Sequence, residues 1–232
     1  MKIAIMQPYF MPYIGYFQLI AAVDQFIVYD NIKYTKKGWI NRNRLLLNGK
    51  DVIFSLPLKK DSDTLKVVNR ELAGDFKRAK LLNQFKGAYS RAPQFKLVYP
   101  VLERIVGHED NNLFNYIHHS IVQMCEYLDI KTEIRVSSQF NIDHELIGQH
   151  KVLALCNAAG ANTYVNSIGG VELYDKREFW SHGIDLQFII ARPFQYQQFE
   201  HEFVQRLSIV DVLMFNPLNV ILACLNESYE VI

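Results

Sequence analysis

Two short segments concentrate the residue types that chemistry needs. Gln7-Pro8-Tyr9-Phe10-Met11-Pro12-Tyr13-Ile14-Gly15-Tyr16 follows a short apolar run, and Lys36-Lys37-Gly38-Trp39-Ile40-Asn41-Arg42-Asn43-Arg44 comes soon after a second run that ends at Tyr29-Asp30. The second segment is the densest collection of donors in the chain. Guanidinium forks match phosphate oxygens two at a time, and an indole offers a stacking face to a base or sugar ring. Between Asn31 and Lys50 the cations Lys33, Lys36, Lys37, Arg42, Arg44 and Lys50 stand with no carboxylate among them. That is the pattern of a solvated basic surface or of an anion-binding loop. If residues 40–47 are extended, Asn41 and Asn43 share one face and Arg42 and Arg44 the other, so that one pair could point at a ligand.

Tyr13-Ile14-Gly15-Tyr16 has the spacing of the His-Ile-Gly-His element of Rossmann-like nucleotidyltransferases and class I aminoacyl-tRNA synthetases, which also lies between a first strand and a first helix. Glycine there lets a nucleotide approach the backbone, and the imidazoles stabilise charge on a transferring phosphoryl group. Here both histidines are tyrosines, and a neutral phenol supplies no cation. The spacing therefore speaks for a binding site at the helix start more than for adenylyl transfer, and equally for a proline-rich turn with tyrosines packed on the sheet.

Asp30 falls at the carboxyl end of the second strand, where open parallel sheets bind ligands. It could orient a sugar hydroxyl, act as a general base, or cap the next turn. Asn166-Ser167-Ile168-Gly169-Gly170 follows a later strand and could form a second site loop, since paired glycines permit close approach or positive φ. Ser208-Ile209-Val210-Asp211 has the spacing of a capping box at a helix start.

The elements that must position these residues read as follows. Ile3 to Met6 suits a buried parallel strand. Phe17, Leu19, Ile20 and Val23 suit a short helix, and Phe26 to Tyr29 a second strand. Arg44 to Leu47 and Asp51 to Leu58 read as a hairpin turned at Asn48-Gly49. Phe76, Ala79, Leu82 and Phe85 recur at helical spacing, as do Leu113, Ile117, Ile121, Met124 and Leu128. Thr132 to Val136 is a strand, Leu146 to Ala159 a helix stopped by Gly160, Thr163 to Asn166 and Ile184 to Ile190 are strands, and the chain is helical from Ser208 onward. The order predicts one α/β domain over residues 1–232, Rossmann-like with a largely parallel sheet, carrying a helical insertion or subdomain at about residues 75–130.

Composition bounds the partners. Of 232 residues 50% are hydrophobic and 21% charged, enough for a packed core. A net charge of +1 gives no overall attraction to nucleic acid or an anionic membrane. No apolar stretch reaches the roughly 20 residues of a membrane span, and the first apolar run breaks at Gln7-Pro8, unlike a signal peptide. Cys125, Cys156 and Cys224 are widely spaced in apolar helical contexts and read as buried free thiols. The seven histidines match no zinc spacing, and His118 and His119 are adjacent on a helix and point apart, so no metal is expected. No GxSxG, P-loop or GxGxxG occurs.

Taken together, Gln7-Pro8-Tyr9-Phe10, Pro12 to Phe17, Lys37 to Asn43, Tyr164-Val165-Asn166 with Gly169-Gly170 and Leu173-Tyr174, and Leu207 to Asp211 with Met214-Phe215 resemble the WbqC-like protein family over nearly the whole chain. The resemblance implies a bacterial cytoplasmic protein encoded among genes for O-antigen and other surface polysaccharides. It carries over no catalytic residue and names no cofactor. The leading expectation is a transferase acting on a small, nucleotide-linked or otherwise activated sugar, by acyl or aminoacyl transfer to an amino sugar. In it Lys37, Arg42 and Arg44 hold phosphate, Trp39 stacks, and Asn41 and Asn43 read hydroxyls. Gly15, Asn166, Gly169 and Gly170 line the site, while Gln7, Tyr13, Tyr16 and Asp30 surround the reacting centre. The alternatives are a nucleotidyltransferase or acid-activating enzyme, which would release pyrophosphate from ATP, and a non-enzymatic scaffold.

Overall fold

The computed structural model describes residues 1–200 and 202–232. A mostly parallel sheet is built from β1 (Lys2–Met6), β2 (Gln25–Val28), β5 (Glu133–Val136), β6 (Thr163–Ser167) and β7 (Asp185–Ala191), with β8 (Tyr229–Val231) antiparallel on one edge. The spatial order is β5-β2-β1-β6-β7-β8. The chain first builds outward from β1 through β2 to β5, then crosses back to lay β6 on the other side of β1. A hairpin of β3 (Arg42–Leu47) and β4 (Lys50–Ser55) forms a separate two-stranded sheet. Its turn residues Asn48 and Gly49 have φ of 52° and 74°, the positive values a two-residue primed turn requires.

Burial on both sheet faces explains the apolar runs. In β1, Ala4 joins one hydrophobic cluster and Ile3 and Ile5 the other. The smaller cluster lies under α5 (Gly148–Ala159) and α6 (Lys176–Ser181), with Val152, Leu155 and Phe179 packed on Ile27, Tyr164 and Leu186. The larger cluster takes in α1 (Ile14–Ala21), α2 (Arg78–Tyr89), α3 (Phe95–Val106), α4 (Leu113–Tyr127), α7 (Ile209–Phe215), α8 (Leu218–Glu227) and the hairpin. Gly160, at φ 70°, ends α5 as its position in the sequence predicts.

Two details differ from the sequence pattern. The buried face of α2 is Leu81, Phe85 and Ala88, whereas Ala79 is exposed and Phe76 precedes the helix, so the core-facing stripe is turned by part of a helical step. The chain after Ser208 is not helical throughout, because Tyr229–Val231 pairs with β7. No helix among the described residues is long and apolar enough to cross a membrane, and Cys125, Cys156 and Cys224 are buried free thiols.

The feature that matters most for a site lies between β1 and β6. Their ladder holds two register pairs, Lys2 with Thr163 and Ile3 with Tyr164, whereas β1 and β2 share four and β6 and β7 share five. Ala4–Met6 and Val165–Ser167 therefore run on without pairing to each other. The sheet opens at its carboxyl edge, where the strand order reverses.

Candidate functional site

The loop that leaves β1 is held in one conformation by bonds from distant parts of the chain. Phe10 N donates to Ile40 O at 2.9 Å, and the Phe10 ring packs against Phe54 and Tyr116 with centroids 6.0 and 5.8 Å away. Met11 is a buried non-glycine residue at φ 46°, a backbone state that costs on the order of 1–3 kcal/mol unless its surroundings enforce it. They do so here. Asn43 Nδ2 and Ser208 Oγ both donate to Met11 O, at 2.8 and 2.7 Å, and Ile209 N donates to Pro12 O at 2.7 Å.

Of the two tyrosines that bracket Gly15, Tyr16 is buried and its hydroxyl donates to Gln7 O at 2.9 Å. Tyr13 is 39% exposed and lays its ring over Gly15, where a Cβ would come within 2.3 Å of the ring's Cε2. Burial raises the Tyr13 phenol pKa and the nearby Arg206 guanidinium opposes that rise. Tyr9 OH donates weakly to Gln7 Oε1 at 3.5 Å. Gln7, Tyr9, Tyr13 and Arg206 thus form a polar, aromatic strip beside the end of β1.

The cationic loop joins this strip. Trp39 is 42% exposed, with the guanidinium carbons of Arg42 and Arg44 at 5.6 and 5.5 Å from its ring centroid. Alternation along β3 puts both arginines on one face, and both have donors committed within the protein. Arg42 donates through Nε to Gly38 O at 2.8 Å and through Nη2 to Lys37 O. Arg44 reaches Asp51 through Nη1 at 3.1 Å and Arg206 O through Nη2 at 3.0 Å. Asn41 accepts from Tyr34 OH and donates to Leu56 O, at 2.9 and 2.8 Å, and buried Asn43 also accepts from Arg44 N. The Asn41 and Asn43 amides therefore tie the hairpin to its surroundings. Lys37 is exposed.

A second polar group lies at the ends of β2 and β5. Asp30 is 1% exposed and accepts at Oδ1 from Ser137 Oγ at 2.6 Å and Ser138 N at 3.0 Å. Lys151, in the first turns of α5 and 5% exposed, donates to Asn31 Oδ1 at 3.1 Å and His144 O at 2.9 Å, with Nζ 5.3 Å from the Tyr29 ring centre. No carboxylate among the described residues lies within ion-pair distance of it. Burial lowers the Lys151 pKa, Lys66 adds to the drop, and Asp30 opposes it. His144 Nδ1 lies 2.9 Å from Asn31 Nδ2. The opposite face contributes His118, whose pKa burial lowers while Asp30 raises it, and whose Nε2 is buried without a partner.

Asn166 and the paired glycines follow β6. Buried Asn166 accepts from Ser167 N at 2.7 Å, and a Cβ on Gly170 would sit 2.6 Å from its Nδ2. Close approach to Asn166 is what glycine permits at Gly170, whereas Gly169 faces open space and neither residue has positive φ. Tyr174 lies beside Asn166, meets Tyr164 OH at 3.4 Å and acts on the Tyr29 phenol.

Gln7, Tyr13, Gly15 and Tyr16 are thus brought together with Trp39, Asn43 and Arg44 through Met11 and Arg206. Asp30 stands apart from them with Asn31 and Lys151, and Asn166 with Gly169 and Gly170 forms a third group on the same carboxyl edge. Lys151, Ser137, His144 and Arg206 carry no motif in the sequence, and Tyr174 enters it only through the family resemblance. The one available signal is a lysine on the otherwise apolar stretch of α5, Val152 to Cys156. A cavity of about 500 Å³ lies elsewhere, between Val23, Leu128, Thr132 and Leu225 at the opposite end of β2.

The chain belongs to the WbqC-like protein family, which it matches over residues 7–221. It is also 30% identical over 220 residues to an uncharacterized protein of Mycobacterium tuberculosis (strain ATCC 25618 / H37Rv), the match covering 93% of each chain. No solved structure matches it.

Proposed function

We propose that this protein is a Rossmann-like cytoplasmic transferase that acts on a nucleotide-linked or otherwise activated sugar during assembly of bacterial surface polysaccharide. In this reading α2 to α4 form a helical insertion at about residues 75–130. The observation that carries the proposal is the opening between β1 and β6, flanked by Gln7 just after β1 and by Asn166 in β6. In doubly wound sheets a ligand sits at this reversal point, outside the carboxyl ends of the strands. Tyr13, Lys37 and Trp39 would hold the nucleotide part. Asp30 and Lys151 would supply acid–base chemistry, because burial without an ion-pair partner makes a lysine amine easier to free of its proton. Acyl or aminoacyl transfer to an amino sugar needs chiefly positioning and one base.

The nucleotidyltransferase reading draws less support. It needs a bare Gly15 under the nucleotide, and the Tyr13 ring covers that place.

The test is a titration of the protein with a panel of nucleotide-sugars, and separately with ATP and magnesium, followed by calorimetry and pyrophosphate detection. Binding of a nucleotide-sugar without pyrophosphate release supports the proposal. Pyrophosphate release from ATP would replace it with the activating-enzyme reading. Binding of none of these compounds would leave the scaffold reading.

A further inference from the structure

We infer that Arg206 is the residue that grips the anionic group of the ligand, and that Arg44, which the sequence offers for that task, is a positioning residue behind it. The inference rests on the proposed site and names a contact within it.

Most of the guanidinium and ammonium donors near the strip are already engaged. Arg42 and Arg44 have Nε or Nη donors engaged by Gly38, Lys37, Asp51 and Arg206. Lys36 is paired with Asp63 at 2.8 Å. Arg206 is exposed, and its guanidinium forms no ion pair or hydrogen bond among the described residues, although its carbonyl does. It lies near the Tyr13 phenol, on the strip that also holds Tyr9 and Gln7. A free guanidinium near the Tyr13 phenol, on a residue whose carbonyl is bonded to the Arg44 that lies 5.5 Å from the Trp39 ring centroid, is a site for phosphate or another oxyanion attached to a ring.

The backbone supports this choice. Arg206 has φ 58°, a left-handed state that an arginine rarely adopts. It is held there from both sides. Arg44 Nη2 donates to its carbonyl, Ser208 N donates to Arg44 O at 2.9 Å, and Ser208 Oγ locks Met11 O. Upstream, Gln198 bonds Val204 at both its oxygen and its nitrogen and donates to buried Asp211 at 2.7 Å. The segment is thus pinned on either side of a strained residue whose side chain is left free. Glycine would meet the backbone requirement without strain, so the arginine is there for its side chain.

The experiment uses the full chain in a Trp180→Phe background, which leaves Trp39 as the sole tryptophan reporter. Trp39 fluorescence is titrated with inorganic pyrophosphate, with UDP and with uncharged uridine, for Arg206, Arg206→Gln, Arg206→Lys and Arg206→Gly proteins. Loss of one charge-assisted contact should weaken pyrophosphate and UDP by about tenfold or more in Arg206→Gln, with partial recovery in Arg206→Lys. Arg206→Gly should lose binding with no fall in Tm. Arg44→Gln should weaken binding less, and the Arg44→Gln/Arg206→Gln double variant should add little to Arg206→Gln alone, the non-additivity expected of a residue that acts through another. Wild-type affinity in both Arg206→Gln and Arg206→Gly overturns the inference and leaves the proposed function standing. Pyrophosphate binding that needs Arg206, with no binding of any nucleotide-sugar, overturns the nucleotide-sugar reading and leaves the inference standing. Absence of pyrophosphate and UDP binding in the wild type overturns the inference, and the nucleotide-sugar panel then decides the function by itself.

Discussion

The side-chain amide of Asn43 donates to the carbonyl of Met11 at 2.8 Å, across 32 residues of sequence, and holds a buried methionine at φ 46°. Asn43→Ala leaves that carbonyl with one donor, Ser208 Oγ, and exposes the strain to relaxation. Urea denaturation should show a loss of about 1–3 kcal/mol, and the Asn43→Ala/Ser208→Ala double variant should lose more than either single change. An unchanged midpoint in both single variants would mean that the loop holds itself by packing around Phe10.

Tyr→Phe separates the roles of Tyr13 and Tyr16. The Tyr16 hydroxyl is buried on Gln7 O, so Tyr16→Phe should cost about 1 kcal/mol of stability. Tyr13→Phe should leave Tm unchanged and weaken ligand binding, since its ring is half in solvent. Thermal melts together with the nucleotide-sugar titration check both halves.

Arg42→Ala removes the donors that close the Lys37–Gly38 turn. The turn is exposed, so the expected outcome is a small change in Tm and a clear loss of binding through a disordered Lys37 and Trp39. A collapse of Tm would instead make Arg42 part of the structural frame.

Asp211 is a buried carboxylate that accepts from Tyr89, Tyr196 and Gln198 at 2.9, 2.7 and 2.7 Å. Asp211→Ala leaves the Tyr89 and Tyr196 hydroxyls without their acceptor and the Gln198 amide nitrogen with Val204 O alone. The loss should exceed about 3 kcal/mol on that account, and it should also weaken pyrophosphate binding, because the same network holds the strap that carries Arg206.

His118 gives a pH dependence of known sign. Burial holds its folded pKa below the ordinary 6.5, so the folded chain takes up the proton less readily than the unfolded one. Its contribution is complete above that ordinary value and is lost as pH falls below it. Asp211, whose pKa burial raises, works in the opposite sense. The comparison of wild type with His118→Phe between about pH 7.5 and 5.5 isolates the ring. The variant should lose less Tm over that range, and parallel curves would show that the ring titrates alike in both states.

Local chemistry explains what the sequence made legible. Asn48-Gly49, Gly160 and the short β-branched runs signal their turn, cap and strands without help from the rest of the chain. The Leu113–Leu128 stripe is long enough to define the face that α4 buries, whereas the short stripe at Phe76–Phe85 misplaces that of α2. Ser208 does cap α7, accepting from Val210 N at 3.3 Å. Asp211 does not complete the box, because Ser208 N is engaged by Arg44 O and the carboxylate turns inward to Tyr89. Lys151, His144 and Ser137 were not legible, since each acquires its meaning from a partner on another strand or helix. The three-residue β8 has no pattern of its own and exists because β7 offers it an edge.

The two-pair ladder between β1 and β6 also bears on synthesis. β1 meets β2 soon after both leave the ribosome, but its other side waits for Thr163 and Tyr164. At roughly 5–20 residues per second that wait lasts about 7–27 seconds, during which the β6 side of Lys2 and Ile3 has no pairing partner. A nascent chain stalled before residue 163 presents an unpaired edge of its own central strand, the kind of edge that can template pairing with another chain.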